Sequence, residues 1–277
     1  MFEPIDKISN LSKFKEDVFK GKIFVFKKSE ITLNLVQEIK KNILIEYDGQ
    51  LEKLHHLDNC EEISSTLVAN LKKIPEFKKL FKIFLKEINF FHEKSYWDQF
   101  RVRVAPAQNK FSYREASRIS SHRDTWGTNI HQQINWWAPI SSISETNTMI
   151  FYPDYFARAV KNSTSTWDLN TYLEHRKRED FSYPSAPQLL EELPNDANVQ
   201  SVNIEPGEIL CFSGCHLHSS SKEESDNTRF SYEIRTVCQD DLDNRREAPN
   251  TDCDLQWQFP KIFRNIDDNS PLKLLAE

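Results

Sequence analysis

Two hydrophobic periodicities follow each other along this chain and change near residue 97. In the first part, apolar residues recur three and four positions apart, which is typical of one face of a helix. This spacing predicts a helix from Thr32 to Ile45 and two further helices after Ser64, separated by Pro75. One short apolar run, residues 21–26, predicts an early strand. Residues 1–97 should therefore be mostly helical.

After residue 97, apolar residues alternate with polar ones or form short runs bounded by turn residues, which predicts strands. The segments with this pattern are Phe100 to Ala105, Ile134 to Ala138, Thr148 to Tyr152, Val199 to Ile204, Glu208 to Phe212 and Phe230 to Cys238. Between them, Thr166 to Arg178 predicts a helical insertion, which Ser165 or Thr166 can cap.

Helices followed by a run of short strands predict a mainly β fold with N-terminal helices (α+β), in the form of a β-sandwich or jelly roll. No repeat or low-complexity linker divides the chain. We therefore predict a single domain over residues 1–277, with a helical N-terminal buttress at 1–97 and a jelly-roll core at 98–240. The core carries an insertion at 153–198, which we expect to form part of a lid because long excursions between barrel strands tend to be functional. Residues 241–277 form a C-terminal extension.

The net charge and the cysteine content indicate which binding partners and which cellular compartment to expect for this protein. The net charge is −6 without an extended basic run, which disfavours nucleic acid and an anionic membrane surface as partners. The longest apolar runs, such as Ile23 to Phe26, are too short to span a bilayer. Five cysteines, an odd number, follow an N-terminus without the basic and apolar regions of a signal peptide. We expect reduced thiols in the cytoplasm, and the oligomeric state stays open.

The tripeptide His122-Arg123-Asp124 is the first candidate metal-binding motif. In a strand, side chains two residues apart point to the same face, so His122 and Asp124 could reach one ion. His218 can supply a second imidazole. Two histidines and one carboxylate on one face of a metal leave three coordination positions open, as in non-haem Fe(II) oxygenases. The alternative is an ordinary surface histidine and aspartate, since the tripeptide alone is a weak motif.

A close pair of histidines lies at the end of the predicted strand that follows Gly207. His216 and His218 are two residues apart, so both could approach one ion, or one of them could be a hydrogen-bonded core histidine. Together with Cys211 and Cys215 they could instead form a structural zinc site. Such sites usually combine two short ligand spacings from separate loops. Because all four residues lie within eight residues of one predicted strand, and the sequence has no second CxxC or HxxxH pair, zinc is the less favoured interpretation.

The last predicted strand has one polar face, formed by Arg229, Ser231, Glu233 and Arg235. Burying such a face is costly unless it meets partners. An arginine there can hold a carboxylate of an oxo-acid by two parallel charged hydrogen bonds. The alternatives are a hydrated face or an internal network between Glu233 and Arg235.

These motifs, in this order and spacing, resemble the Fe(II)/2-oxoglutarate-dependent oxygenases and, within them, the phytanoyl-CoA dioxygenase-like branch. The resemblance covers about residues 98 to 238. It consists of His122-x-Asp124, the Gly-Glu-Ile-Leu-Cys-Phe segment before Leu217-His218-Ser219-Ser220, and Arg229. It implies a double-stranded β-helix, or jelly roll of the cupin-like kind, with added N-terminal helices.

The resemblance also implies a ligand set. His122, Asp124 and His218 would ligate Fe(II), with His216 as the alternative distal ligand. Halogenases of this superfamily lack a carboxylate ligand at the position of Asp124, where chloride binds the metal instead. The aspartate in this sequence therefore favours hydroxylation or a related oxidation. Arg229 would then bind the distal carboxylate of the co-substrate 2-oxoglutarate, with O2 as the second co-substrate.

Two more residues belong to this co-substrate site by the same resemblance. Ser220 lies where a small hydroxyl residue often assists the carboxylate, and Arg235 is the alternative to Arg229. The function that the resemblance implies is oxidation of a C–H bond of a small polar metabolite, such as a sugar or a natural-product intermediate. The alternatives are a non-catalytic jelly-roll module that binds a sugar or small acid, and a metal-dependent isomerase or epimerase of the cupin type. Cupins usually offer more histidines early in the barrel.

Several residues near the first motif are candidates for substrate contact. On the following strand, Gln133, Asn135 and Trp137 could line a pocket, although tryptophan at this spacing is more often in a core. Five residues lie just before the motif, namely Arg101, Arg103, Tyr113, Arg114 and Arg118. The positive charge of the arginines could attract an anionic substrate, or these residues could form a solvated face.

Overall fold

The structure is a computed structural model that describes residues 2–90, 94–105, 120–178, 180, 182–221, 225 and 227–274. The helices are α1 (Leu11–Phe19), α2 (Glu30–Glu46), α3 (Cys60–Leu71), α4 (Pro75–Glu87), α5 (Leu169–Lys177) and α6 (Gln239–Asp243). The strands are β1 (Phe2–Ile5), β2 (Ile23–Phe26), β3 (Ser95–Trp97), β4 (Arg101–Ala105), β5 (Ile134–Pro139), β6 (Met149–Phe151), β7 (Gln200–Ser201), β8 (Ile209–Ser213), β9 (His218–Ser220), β10 (Arg229–Cys238) and β11 (Arg264–Asn265).

The helices begin where the side-chain chemistry favours a start. The Ser29 hydroxyl accepts a backbone hydrogen bond in the first turn of α2, and Pro75 occupies the first turn of α4. The carboxylate of Asp168 caps α5 in the same way. The capping residue of this helix is thus Asp168, and the prediction of Ser165 or Thr166 is wrong because the helix begins three residues later than predicted.

A large sheet runs through the middle of the protein. Its strands follow the order β1–β2–β8–β5–β10. On the other edge of β10, the first half of the strand pairs with β4 and the second half pairs with β3. Strand β11 pairs with β3 and ends the sheet. The pairings are antiparallel apart from the parallel pair β1–β2. The early strand therefore belongs to the same sheet as the later strands, and the N-terminal segment supplies strands as well as helices.

A small second sheet has the order β7–β6–β9, and both pairings are antiparallel. An isolated bridge between His122 and His218 extends it beyond β9. Helices and strands both contribute substantially, so the architecture is mixed α/β with a large antiparallel sheet rather than mainly β. In the described part of the chain, no helix combines the length and apolar character that a membrane crossing requires.

The two faces of the large sheet bury different side chains because neighbouring residues of a strand point in opposite directions. On the helical face, Trp136 of β5 lies in a cluster with the aromatic rings of Phe26, Phe81, Phe84 and Phe90. The face toward the small sheet carries a second apolar cluster formed by Ile23, Val25, Trp137, Met149, Phe151, Val202, Ile204, Leu210 and Phe212. The space between the two sheets is therefore partly apolar and accommodates the polar face of β10.

Aromatic residues of the insertion pack against the C-terminal segment. Trp167 lies 6.0 Å from Trp257 between ring centroids and shares a buried cluster with Tyr155 and Leu255. This cluster also contains Trp126, which follows Asp124 by two residues. The insertion and the C-terminal segment thus lie next to the loop that carries the first motif.

His131 is a buried histidine whose surroundings favour the neutral imidazole. Its Nδ1 lies 3.3 Å from the sulfur of Cys215, and its Nε2 lies 3.1 Å from the side-chain oxygen of Asn129. Burial lowers the pKa of His131 to about 4, with Asp252 opposing this change and Arg123 adding to it. Protonation of this ring is therefore unfavourable in the folded chain.

We predict that His131 makes the folded state lose stability in mild acid. Its pKa is lower in the folded chain than the ordinary value of 6.5. Its contribution is therefore fully present above pH 6.5 and is lost as the pH falls toward about 4. This loss amounts to at most about 3 kcal/mol in the free energy of unfolding. His131→Gln should flatten this part of the profile in urea unfolding measured across the pH range.

The same substitution at the exposed His56 is the matched control. Because that imidazole meets solvent in both the folded and the unfolded state, His56→Gln should keep the wild-type profile. A pH dependence in His131→Gln as steep as that of the wild type would contradict the prediction.

Candidate functional site

The backbone brings together the two histidines of the predicted metal set. The His122 N–H donates to the His218 carbonyl oxygen, and the His218 N–H donates to the His122 carbonyl oxygen, both at 3.0 Å. Directly opposed residues of an antiparallel pair point to the same face. The two imidazole ring centroids accordingly lie 4.4 Å apart.

Each imidazole is oriented by a backbone carbonyl. Nδ1 of His122 lies 2.8 Å from the carbonyl oxygen of Ser120, and Nδ1 of His218 lies 2.9 Å from that of His216. A carbonyl oxygen only accepts, so Nδ1 carries the proton in both rings and Nε2 keeps its lone pair. Partners of this kind hold metal-binding histidines in the required tautomer.

Asp124 completes the set from a turn rather than from a strand. It begins a short 3-10 turn, Asp124–Gly127. Its two carboxylate oxygens each lie 3.7 Å from an imidazole nitrogen, Oδ1 from His122 Nε2 and Oδ2 from His218 Nε2. The three ligand atoms lie within 4.8 Å of one another. Two imidazole nitrogens and one carboxylate at this spacing can hold a divalent metal ion on one face.

Asp124 is held in place by a chain of polar side chains. The Asn135 amide donates to the Asp124 carboxylate, and its oxygen accepts a hydrogen bond from Gln133 at 2.8 Å. Gln133 in turn accepts from the hydroxyl of Thr128 at 3.2 Å. A Cβ at Gly214 would lie 2.7 Å from the Gln133 amide nitrogen, so a larger residue there would displace this amide from its present position. The chain of contacts fixes the carboxylate beside the histidines.

The electrostatics of the site favour an ionised aspartate and a neutral distal histidine. Burial raises the pKa of Asp124, but its interactions with His122 and His218 and with the charge of Arg235 outweigh burial and hold that pKa well below its usual range. Burial, together with repulsion from His122, lowers the pKa of His218 to about 4 against the opposing effect of Asp124. Metal ligands must be deprotonated, so both groups are in the form that binds a cation at neutral pH.

Arg229 lies on the other side of the same cavity. It begins β10, is 5% exposed and donates from Nη2 to the hydroxyl of Ser220 at 3.1 Å. Its guanidinium carbon lies 5.8 Å from the ring centre of Trp137. The arginine is thus oriented by residues from both sheets.

Arg235, further along the same face of β10, is committed to a different partner. Its Nε and Nη2 both lie 2.6 Å from one carboxylate oxygen of Asp98, and its backbone N–H donates to the other oxygen at 2.8 Å. Asp98 is only 2% exposed. This buried pair orients Arg235 along the pocket wall.

Arg103 and Glu233 form a second charged pair on this wall. Nη2 of Arg103 donates to the Glu233 carboxylate at 2.7 Å, and Arg101 lies 3.7 Å from the same oxygen. Burial raises the pKa of Glu233, but Arg103 and Arg101 outweigh this effect and lower it, so the glutamate is ionised. The pair therefore offers charged donors and acceptors next to Asp124.

The three residues of the candidate metal set and the charged face of β10 line one pocket of about 550 Å³, a volume that includes open solvent at its mouth. This is within the size range of small-molecule sites, roughly 300–1,000 Å³. Its lining residues are Arg103, His122, Asp124, Asn135, Trp136, Trp137, Met149, Phe212, His218, Ser219, Ser220, Arg229, Ser231, Glu233, Ile234 and Arg235. The pocket thus joins the candidate metal set, the polar face of β10 and an apolar wall.

The structure brings together most of the residues singled out from the sequence. His122, Asp124 and His218 form one cluster, and Arg229, Ser220 and Arg235 line the same pocket. Among the described residues, no second group of three metal-binding side chains has this spacing, which disfavours the zinc site. Residues 113, 114 and 118 lie outside the described residues, so their predicted contribution stays a prediction.

His216 differs from the expectation that it shares a face with His218. It is 1% exposed and packs against the rings of Phe156 and Phe151, at 4.5 and 5.4 Å between centroids. It precedes β9 in a turn, where the two-residue periodicity of a strand does not apply. Burial lowers its pKa to about 3, with smaller contributions from His218 and Arg123. His216 is therefore a neutral core histidine in this structure.

Comparison with known proteins gives structural similarity at low sequence identity. No family model matches the sequence, and no curated protein matches it. The apo form of ThoJ, described as a non-heme monooxygenase, has 12% identity and a TM-score of 0.45, over 82% of this chain and 76% of that chain. EvdO2 from Micromonospora carbonacea var. aurantiaca, solved with 2-oxoglutarate, has 11% identity and a TM-score of 0.46, over 84% and 94%.

A third similar structure is SnoK, described as a non-heme alpha-ketoglutarate-dependent carbocyclase from nogalamycin biosynthesis. It has 13% identity and a TM-score of 0.42, over 92% of this chain and 96% of that chain. At these identities and TM-scores, the similarities assign neither a family nor an activity to this chain. The residues of the site itself have to carry the functional interpretation.

We predict that metal-free protein binds one divalent ion and that this binding requires His122, Asp124 and His218. Replacing any of the three with alanine removes a ligand and should weaken the affinity by more than about 100-fold, since residues that only orient ligands already contribute about 10- to 100-fold. This affinity is measured by titrating the protein with Co(II) under anaerobic conditions and recording the visible absorption of the bound ion.

His216→Gln is the matched control, because it changes a neighbouring buried imidazole that faces away from the cluster. Its Co(II) affinity should stay within a few-fold of the wild type. Tight binding retained in His218→Ala and lost in His216→Gln would reverse the assignment of the distal ligand.

Proposed function

We propose that this protein is a non-haem Fe(II)- and 2-oxoglutarate-dependent dioxygenase that oxidises a C–H bond of a small polar metabolite. The observation that carries the proposal is the cluster of two histidines and one aspartate, with both Nε2 lone pairs available and the carboxylate ionised. Such a set holds a metal by one face and leaves the opposite positions for co-substrates. The buried Arg229 in the same pocket supplies the partner that an oxo-acid needs.

We also propose that the two sheets form a double-stranded β-helix, that is, a jelly roll. Support comes from the way the chain passes between the two sheets. The large sheet contains β4, β5, β8 and β10, and the small sheet contains the His122 bridge, β6, β7 and β9. Along the chain, the two sets alternate except that β6 and β7 follow each other in the small sheet. A jelly roll consists of eight strands in two facing sheets. In this arrangement the metal set lies between the sheets.

Iron(II) fits the donor set better than the alternatives considered from the sequence. Mixed imidazole and carboxylate ligands with an open face are typical of non-haem iron, whereas structural zinc takes four closed ligands. His122, Asp124 and His218 would hold the ion. The chemistry supplied by a bound Fe(II) ion is oxidation of a C–H bond by O2, coupled to conversion of 2-oxoglutarate to succinate and carbon dioxide.

The proposed binding site for 2-oxoglutarate is Arg229 with Ser220. A guanidinium can bind one carboxylate of the oxo-acid by two parallel charged hydrogen bonds. Ser220, which contacts Arg229 at 3.1 Å, can donate a further hydrogen bond to the same carboxylate. Arg235 is less suited to this task because Asp98 already occupies two of its guanidinium nitrogens.

The pocket wall supports a polar substrate. Arg103 and Glu233 present charged donors and acceptors near Asp124, while Trp137, Met149 and Phe212 contribute an apolar surface. Hydroxyl groups on a carbon framework match such a mixed wall, as in a sugar or a natural-product intermediate. The pocket residues would then position the C–H bond that is oxidised.

We predict that Arg229→Ala weakens binding of 2-oxoglutarate to the metal-loaded protein on the order of 100-fold, because two charged hydrogen bonds are lost. Isothermal titration of 2-oxoglutarate under anaerobic conditions, with Co(II) in place of iron, measures the change. Metal affinity should stay near the wild-type value.

The paired change Arg235→Gln with Asp98→Asn is the control, since it removes both charges and leaves no unpaired buried ion. It should bind 2-oxoglutarate within a few-fold of the wild type. Unchanged affinity in Arg229→Ala, together with a large loss in the paired variant, would transfer the role to Arg235.

A further inference from the structure

Arg123, the residue between the two ligands of the first motif, is buried and faces away from the pocket lining. Its side chain is 2% exposed, although arginine is rarely buried without partners. All its hydrogen-bond partners lie outside the set of residues that line the pocket. Arg123 therefore lies outside the pocket lining and can affect the metal set only through the backbone and side chains that it contacts.

The guanidinium of Arg123 joins three separate segments to the metal-binding loop. Nη1 donates to the carbonyl oxygen of Cys215 at 2.5 Å, in the turn before His218. Nη2 donates to the carbonyl oxygens of Tyr155 and Arg158 at 2.8 and 2.9 Å, at the start of the insertion. Nε contacts both carboxylate oxygens of Asp252, at 3.0 and 3.1 Å, in the C-terminal segment.

Asp252 holds the loop on both sides of Asp124. Its Oδ1 accepts from Arg123 Nε and from the indole N–H of Trp126 at 2.7 Å. Its Oδ2 also accepts from the backbone N–H of Val160 at 3.1 Å. Arg123 lies one residue before Asp124 and Trp126 lies two residues after it, so one buried carboxylate fixes the loop on both sides of the ligand.

The chemistry of the pair suits positioning better than stabilisation. Asp252 has a side-chain exposure of 5%, and a buried ion pair adds little net stability because both charges lose their hydration. The planar guanidinium, with five donors in fixed directions, instead imposes one geometry on everything it contacts. Here it sets the position of the loop with Asp124 relative to the turn that leads to His218.

We propose that the Arg123–Asp252 pair is a positioning device that holds the three metal ligands in binding geometry, and that Asp252 is its anchor. The proposal rests on the metal centre of the proposed function. It makes the C-terminal segment and the insertion part of the support of the metal site, although neither supplies a ligand. Asp252 and Arg123 are positioning residues in this account, not ligands.

The test compares Asp252→Asn with a matched loss of charge elsewhere. Asp252→Asn keeps the shape of the side chain and removes the charge that holds Arg123. The control is Asp241→Asn, since Asp241 is also buried, with a side-chain exposure of 1%, and pairs with Lys15 at 2.7 Å. For each folded protein, Co(II) affinity, the visible spectrum of bound Co(II) and the urea midpoint of the metal-free form are measured.

We expect Asp252→Asn to bind Co(II) about 10- to 100-fold more weakly and with a changed spectrum, as found for residues that orient metal ligands. Asp241→Asn should lower the urea midpoint and leave both the affinity and the spectrum unchanged. Trp126→Phe removes one hydrogen bond to Asp252 and keeps an aromatic ring and the charge of Asp252. It should give a smaller change in the same direction, and it replaces Asp252→Asn in the test if that variant does not fold.

If both Asp252→Asn and Trp126→Phe bind Co(II) with the affinity and spectrum of the wild type, the positioning role is overturned. The proposed metal centre is not contradicted by that result. An equal loss of affinity in Asp241→Asn would also overturn it, because the effect would then be general destabilisation. A wild-type protein that binds no metal would refute the proposed function itself, and the positioning proposal with it.

Discussion

The pairing of His122 with His218 through two reciprocal backbone hydrogen bonds is the constraint on which the site depends. It joins a loop that follows β4 to a strand nearly a hundred residues further along, and it places two imidazoles on one face. Because the contact is made by backbone atoms, the two imidazole side chains stay available to bind a metal ion. Each ring then needs only a carbonyl at Nδ1 to present its lone pair beside Asp124.

Charge inside the pocket is kept in place by pairing. Asp98 holds Arg235, Glu233 holds Arg103, and Asp124 lies among cationic groups that keep it ionised. Removing one member of such a pair leaves a buried charge uncompensated, which is costly. A strongly polar surface can therefore lie between the two sheets because its buried charges are paired. On the opposite face of the large sheet, Trp136 and its aromatic neighbours form an apolar cluster that stabilises the sheet.

The sequence predicted the parts of this architecture that depend on local periodicity. The breaks at Pro75 and at residue 97, the polar face of β10 and the motif residues all follow from spacing. Asp98 and Asp252 were not found because their arginine partners are 137 and 129 positions away, and no local pattern marks them. His216 and His218 look equivalent in sequence. Only the turn before β9 shows that one of them enters the core.

The most direct test of the central claim is anaerobic addition of Fe(II) and then 2-oxoglutarate to the metal-free protein, followed by visible absorption. If His122, Asp124 and His218 hold the iron, a charge-transfer band between iron and the bound oxo-acid appears only after both additions and is absent in Asp124→Ala. A folded wild-type protein that binds no iron and shows no band would contradict this metal site and would favour a metal-independent binding module.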